Sequence, residues 1–495
     1  MVAGFFIFLL MMMMIGGITF FVISIKYSIQ LKETWHKIKS NTTIRLFLLF
    51  ALLLLLLIPL LFVNELVRER SAHYNSVLSE IGQEWGQPQR VNGPFLVIPY
   101  EYTIVRQEKI NSKDGAIEKV KNRIETIQTH AVFLPELLNL KGQLDPQYRY
   151  RAIYESLVYT AQLDITGTFP ALNFNRLAQR PTKIHWDKSY LTFILSDTRA
   201  IKRAITLNWG HEKYSFSSGP QLQLFPSGIH APLQLSKEQS QNKIDFSFAL
   251  NFNGSQRFEW SPVGKSNHVK IKSSWANPSF RGNFLPESRE ITPQGFTATW
   301  QIPSLARSYP QSWQKGTLQK AYELQSFHGG VHLFQPISIY AKVSRSIKYA
   351  ILFLGLTLLS LILIERATKQ HLHLVHYGLT AGALVIFYLL ILSMSEHWGF
   401  DLSYFIASTL VTLTVGLYHI PTFKQPKIAL LNAGILAGLY LVLFMILQLQ
   451  DFALLVGSFL LLFVLWVVMY QTRHISTEES TEELTEKLTE KLTEK

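Results

Sequence analysis

Seven stretches of this 495-residue chain are long, apolar and almost free of charge. A water-soluble fold has no room to bury that many. The first runs from Val2 to Ile25 and includes Met11–Met14; the second covers 46–63, nearly pure Leu, Phe, Ile and Val, with Pro59 inside. After a long polar stretch come five more, at about 349–364, 374–394, 402–420, 428–447 and 452–470. Each approaches the ~20 residues that cross ~30 Å of hydrocarbon at ~1.5 Å per residue, so up to seven spanning helices are expected. Composition agrees, since only 16% of residues are charged and 48% are hydrophobic. With no cysteine in the chain, disulfides, thiolate nucleophiles and cysteine-ligated metals are excluded.

The first run has the length of a cleaved signal peptide, but no basic segment precedes it and no small-x-small site follows. Lys26, Lys32, Lys37, Lys39 and Arg45 lie after it instead. That charge predicts a retained helix, an external N-terminus and a cytoplasmic 26–45 linker. Inside and outside then alternate. The loops expected inside hold Arg366 and Lys369, Lys424 and Lys427, then Arg473; the loops Ser395–Asp401 and Gln448–Asp451, expected outside, hold no Lys or Arg. Every short loop obeys the positive-inside rule, which puts the C-terminus in the cytoplasm.

Residues 64–346 form the polar middle. A charged amphipathic helix is expected over 64–86, with Leu66, His73, Val77 and Ile81 on one face and Gly86 and Pro88 ending it. The period then shifts toward two, as in Thr160–Phe169 and Lys243–Phe252. The second run meets Asn253-Gly254 and then Arg257–Trp260, which predicts a hairpin. Further strands are expected at 93–104, 130–140, 189–197, 201–209, 267–275, 294–302 and 331–343. The pattern predicts one or two antiparallel β-sandwich units on a helical stalk. This segment holds 33 Lys and Arg against 22 Asp and Glu, most of the chain's +13. Such a surface suits anionic headgroups or polysaccharides, or is simply a solvated face.

Catalytic signatures are sparse: no G-x-S-x-G, Walker loop, H-E-x-x-H or Ser-x-x-Lys appears. Asn41-Thr42-Thr43 and Asn253-Gly254-Ser255 match a glycosylation pattern, the first on the expected cytoplasmic side and the second at the expected turn. Trp186, Trp209, Trp260, Trp275 and Trp300 read as core more readily than as a sugar platform. His328-Gly329-Gly330-Val331-His332 puts two histidines in reach of one metal, but with no carboxylate close by in sequence it reads more readily as a Gly-Gly turn between strands. In the membrane runs, Ser403, Ser408, Thr409, Thr412 and Thr414 give one helix a mildly polar face, while Asn432 and Ser458 stand alone. Gly434-x-x-x-Gly438 is a helix-approach pattern. No charge sits at mid-membrane, which disfavours coupled transport. Glu365 and Arg366 cap one helix, and His371, His373 and His376 crowd one cytoplasmic interface, where only His373 and His376 share a helical face and a metal site is the lesser reading. Glu396, His397 and Asp401 form an acidic outer loop able to serve as acid and base, although a solvated turn is the plainer reading. From Ser476 the tail repeats Leu-Thr-Glu-Lys and is expected to be a frayed cytoplasmic appendage.

Three groups of segments resemble one family. They are Leu55–Pro59, Val67–Arg70 and Gly93–Pro99; Ser274–Pro286 and Gly295–Trp300; and Lys348–Phe353, Phe387–Leu390 and Leu392–Phe400. Spanning roughly 44–420, they are similar to the CreD, or cell envelope integrity, family; the 2–25 run and the tail depart from its pattern. The resemblance implies a Gram-negative inner-membrane protein with a large periplasmic insertion, a C-terminal helical bundle, a role in envelope integrity and a link to a two-component sensor. It transfers no catalytic residue and no cofactor or metal.

The expected organisation is therefore two N-terminal membrane helices with a basic linker (1–63), an all-β periplasmic domain (64–346), a five-helix membrane domain (347–472) and a cytoplasmic tail (473–495). The expected role is non-enzymatic, the β-domain binding an envelope protein, lipid or glycan rather than nucleic acid. Its candidate surface is Phe280, Arg281, Gly282 and Phe284, where Pro, Gly, Asn and Arg cluster with aromatics. The alternative is a membrane enzyme using Glu396, His397 or Asp401 on a lipid-linked or peptidoglycan substrate.

Overall fold

A computed structural model describes residues 42–110, 119–222, 225–314, 324, 326–333, 338–368, 372–423, 425–449 and 452–472. The 2–25 run, most of the basic linker, His371 and the tail lie outside the described residues. The described chain forms two compact units, 73–336 and a second made of residues up to 72 together with 337 onward. The second apolar run and the expected stalk prove to be one element, helix α1, Thr42–Trp85, of 44 residues with Pro59 inside. Between Val63 and Trp85 there is no proline, and the one glycine, Gly82, lies within the helix; the chain leaves it at Gly86, where φ is 154°.

Eighteen strands are described in the β-unit: β1 Gln89–Ile110, β2 Lys119–Phe133, β3 Leu137–Arg151, β4 Tyr154–Phe169, β5 Lys183–Ile184, β6 Ser189–Leu195, β7 Thr206–Trp209, β8 Glu212–Ser215 and β9 Ser217–Ser218. After β10 Gly228–Leu233 comes a one-turn helix, α2 Lys237–Ser240. Then follow β11 Ile244–Ser255, β12 Arg257–Trp260, β13 Ser266–Ser273, β14 Pro278–Gly282, β15 Ser288–Thr292, β16 Gly295–Pro303, β17 Ser312–Gln314 and β18 Gly329–Leu333. A ten-stranded sheet runs β14-β18-β12-β1-β6-β10-β9, with β2, β5 and β17 off that path; an eight-stranded sheet runs β15-β16-β13-β3-β4-β11-β7-β8.

Alternation makes these strands half-buried: in β13, Asn267, Val269 and Ile271 are buried while His268, Lys270 and Lys272 are exposed. β6 lies in the middle of its sheet and is buried along its whole length, as its continuous Tyr-Leu-Thr-Phe-Ile-Leu run requires. The inner faces share one core, and aromatic pairs cross it. Phe193 of β6 meets Phe248 of β11 at 5.3 Å, and Trp260 of β12 meets Trp300 of β16 edge-on at 5.9 Å. Such pairs contribute about 0.5–1.5 kcal/mol beyond area burial. Trp209, Trp260 and Trp300 are buried, as core residues should be.

Four local expectations are corrected. β1 pairs β12 and β3 pairs β13 in parallel, so the sandwich is mixed rather than antiparallel. Asn253-Gly254 is not a hairpin turn. β11 runs straight through it, paired with β4 as far as Ser255, and the chain switches sheets at Gln256, where φ is 59°. Gly254 is needed for packing, because a Cβ there would stand 2.3 Å from the Tyr159 ring. Gly329-Gly330 is likewise no turn but the body of β18, flanked by β12 and β14. Finally, the strand expected at 331–343 ends at Leu333, and Ser338 caps helix α3, Ile339–Lys348.

The membrane unit continues with α4 Ala350–Thr368, α5 Leu374–Trp398, α6 Phe400–Phe423, α7 Pro426–Gln448 and α8 Ala453–Thr472. Five described helices, the apolar part of α1 and α4–α7, are long and apolar enough to cross a membrane, and α8 adds a shorter apolar stretch. The chain is a membrane protein with a β-domain. An aromatic cluster holds the bundle, with Tyr440 4.4 Å from Phe387 and 4.6 Å from Phe353. A Cβ on Gly434 or Gly438 would meet no atom within 4 Å among the described residues, whereas one on Gly416 of α6 would stand 3.2 Å from the Ala433 methyl of α7.

Candidate functional site

Strand register at the open edge of the ten-stranded sheet assembles a charged face. Arg90 of β1 lies opposite Glu259 of β12, Glu259 opposite Gly330 of β18, and Gly330 opposite Arg281 of β14. The adjacent row is Arg257 of β12, His332 of β18 and Ser279 of β14. Residues directly opposite share a face, and three inter-strand steps span about 14 Å. These two rows set three arginines and one histidine against one carboxylate. Gly330 leaves a notch between Arg281 and Glu259; a Cβ there would lie 2.8 Å from Glu259 Cγ.

Glu259 organises the cluster. Its side chain is buried; Arg90 Nε donates to its Oε2 at 2.8 Å and His332 Nε2 meets its Oε1 at 3.3 Å. Arg257 Nε stands 3.8 Å from the same Oε1. Burial pushes the carboxyl pKa up. The bonds from His332 and Arg90 and the charges of Arg90 and Arg257 outweigh that and hold it down at about 2. Burial, reinforced by Arg90, lowers the pKa of nearby His328. Glu259 is thus already spent on Arg90 and His332. Arg281, exposed and held only by a 3.3 Å bond from its Nε to Ser279 Oγ, has no carboxylate partner among the described residues. An arginine so placed can grip a phosphate or carboxylate with its forked donors.

The candidate segment 278–286 thus borders this face, but its residues divide. The Phe280 ring turns the other way, edge-on to Phe296 at 5.6 Å and Trp300 at 5.9 Å. Phe284 is half-buried, stacks on Phe327 at 6.3 Å, and its carbonyl accepts from Trp300 Nε1. Gly282 ends β14 with φ 108° against the His328 carbonyl. Arg281, Gly282, Asn283 and Leu285 are the members exposed to solvent. Arg90, Glu259 and His332 were not legible as site residues, because the pairing of β12 with both β1 and β18 brings together segments far apart in sequence.

In the membrane unit, Glu396, His397 and Asp401 do not converge. Glu396 Oε1 accepts from Tyr340 Oη of α3 at 3.0 Å and lies 3.9 Å from Arg70 Nε. Asp401 Oδ1 takes Gln448 Nε2 at 2.9 Å and Lys342 Nζ at 3.4 Å. His397 is exposed. Each carboxylate clips α3 or α1 to the helix ends around it.

At the opposite ends of these helices lies polar chemistry that the runs of hydrophobic letters concealed. Glu365 is buried and accepts from Tyr377 Oη at 2.6 Å. Asn432, isolated in sequence, is 2.8 Å from Nδ1 of the fully buried His419, whose Nε2 meets Thr380 Oγ1 at 3.2 Å. His376 bonds Tyr418 at 2.7 Å and His373 caps α5, so the two do not share a ligand. No group of three metal-ligating side chains occurs among the described residues.

A family model described as "Inner membrane protein CreD" matches residues 41–478. The protein named "Inner membrane protein CreD" from Escherichia coli (strain K12) is 29% identical over 428 residues, covering 86% of this chain and 92% of its own.

Proposed function

Given that the chain belongs to the CreD family of inner-membrane proteins, we propose that it supports the cell envelope without catalysis, its β-domain binding an anionic envelope component while its helices anchor that domain. The observation that carries this reading is the edge face in which Arg90, Arg257, His332 and Arg281 surround a single, already satisfied carboxylate. An exposed arginine with no carboxylate partner among the described residues, as Arg281 is, recognises phosphate or carboxylate groups at a sheet edge. The loop Ser395–Asp401, which has no Lys or Arg, and the basic residues between the other helices support a periplasmic β-domain. The ties of Glu396 and Asp401 to Tyr340, Arg70, Lys342 and Gln448 support a fastening role for those carboxylates over an acid–base one.

The test uses the full chain in nanodiscs with fluorescent short-chain polyphosphate as probe and neutral dextran as control. Wild type is expected to bind polyphosphate, more weakly as salt rises. Arg281→Glu should weaken binding at least about tenfold, the worth of one charge-assisted contact, at unchanged Tm, and make cells leakier to detergent. Equal binding of dextran, or an Arg281→Glu variant that binds as wild type, would overturn the reading. Glu396→Gln and His397→Ala should support growth under envelope stress as wild type does; loss of function in either, stably folded, would favour the enzyme.

A further inference from the structure

We propose that the membrane unit holds one zwitterionic phospholipid carrying a primary ammonium, its acyl chain in a groove between α6 and α7 and its headgroup at Asp401 and Lys342. The groove encloses about 390 Å3, within the ~300–1,000 Å3 of ligand-sized sites. Its floor is Tyr404 and Tyr440, which are buried, Tyr404 Oη donating to the Tyr440 carbonyl at 2.7 Å. Its walls include Phe405, Leu413 and Leu441, all more than half exposed. Two hydroxyls that line it, on Ser408 and Thr409, are spent on the Phe405 carbonyl one turn back. Thr412 aside, the groove's lining is therefore largely apolar to an occupant.

Length and charge identify that occupant. From Asp401 to Leu413 the groove follows twelve residues of helix, about 18 Å at ~1.5 Å each, which matches one leaflet of a hydrocarbon core ~30 Å thick. It has a charged group at one end only. There Asp401 Oδ1 receives both Gln448 and Lys342, while among the described residues no partner takes Oδ2 or the other two Lys342 ammonium donors. A neighbouring anion and cation suit a headgroup that carries both: its ammonium on Asp401 and its phosphate on Lys342. An anionic headgroup without an amine would meet Asp401 with like charge, and a quaternary ammonium has no N–H to donate.

The full chain would be reconstituted in nanodiscs of equal phosphatidylethanolamine, phosphatidylcholine and phosphatidylglycerol, and the lipid it retains identified by native mass spectrometry. Wild type should keep one phosphatidylethanolamine at least about tenfold over either rival, the selectivity of one charge-assisted hydrogen bond. Asp401→Asn should lose that selectivity. Ala437→Trp should fill the groove from its exposed side and retain no lipid, at wild-type Tm. Retention of lipid without headgroup preference in wild type, undiminished preference in Asp401→Asn, or retained lipid in Ala437→Trp would each overturn the proposal. Because none of these readouts involves the β-domain, failure here leaves the polyphosphate test standing.

Discussion

Glu259 stands where a carboxylate costs most to bury and repays it through three neighbours. Its pKa of about 2 lies below the ordinary 4.5, so the folded state favours the charged form. The resulting stability is fully present above pH ~4.5 and lost as pH falls toward ~2; a shift of about 2.5 units corresponds to about 3 kcal/mol. Glu259→Gln leaves Arg90 and Arg257 facing each other without their countercharge and is expected to destabilise the domain by about 3–5 kcal/mol at pH 7. Urea titrations of both proteins between pH 2 and 6 check this. The wild-type slope between pH 4.5 and 2 should flatten in the variant, and an unchanged slope would refute the assignment. At this scale the sequence was a partial guide. It pointed to the 278–286 segment through composition, but Phe280 turns inward beside Trp300 and only register reveals that Arg281 shares a face with Glu259.

At the scale of elements, alternation located most strands and apolar runs located the helices, because both signals are local and belong to the residues that form them. Partnership is not local. Asn253-Gly254 carries a hairpin signature, yet the chain there must pass Tyr159, whose hydroxyl donates to the Arg257 carbonyl at 2.8 Å across the sheet switch. Gly254→Ala places a methyl against that ring and is expected to cost about 1–3 kcal/mol, as overpacking does. A thermal melt measures it, and the companion Gly219→Ala, whose Cβ meets nothing within 4 Å, separates the clash from loss of a left-handed turn. In the membrane, Gly434-x-x-x-Gly438 showed the same failing: a motif names residues that permit close approach, and only the pairing of helices decides which ones use it.

At the scale of the whole molecule, the division into a β-unit and an apolar bundle follows from charge distribution alone, since no arrangement can hydrate the runs at 374–394 or 428–447. Membrane orientation is open to a clean test because the chain has no cysteine. With the β-domain outside, His397→Cys should react with a membrane-impermeant maleimide on intact spheroplasts, and Lys427→Cys only after permeabilisation. The reverse pattern would invert the topology. Buried polar groups such as His419 were invisible at this scale because a single histidine barely alters the hydropathy of its helix.

The two parallel pairings have a consequence in time. β1 joins β12 through Gln89–Val91 and Phe258–Trp260, and β3 joins β13 through Leu137–Leu144 and Ser266–Ser273. The first pairing cannot form until the chain has been synthesised to Trp260, and the second until Ser273. Through that interval the edges of β1 and β3 that those strands will take stay open. Such distant pairing puts folding in the millisecond-to-second range or slower, and the waiting state is the one most prone to aggregate. The β-domain should therefore be most vulnerable while it is being made, and a ribosome stalled shortly before β12 should carry a nascent chain that holdase chaperones bind and proteases cut.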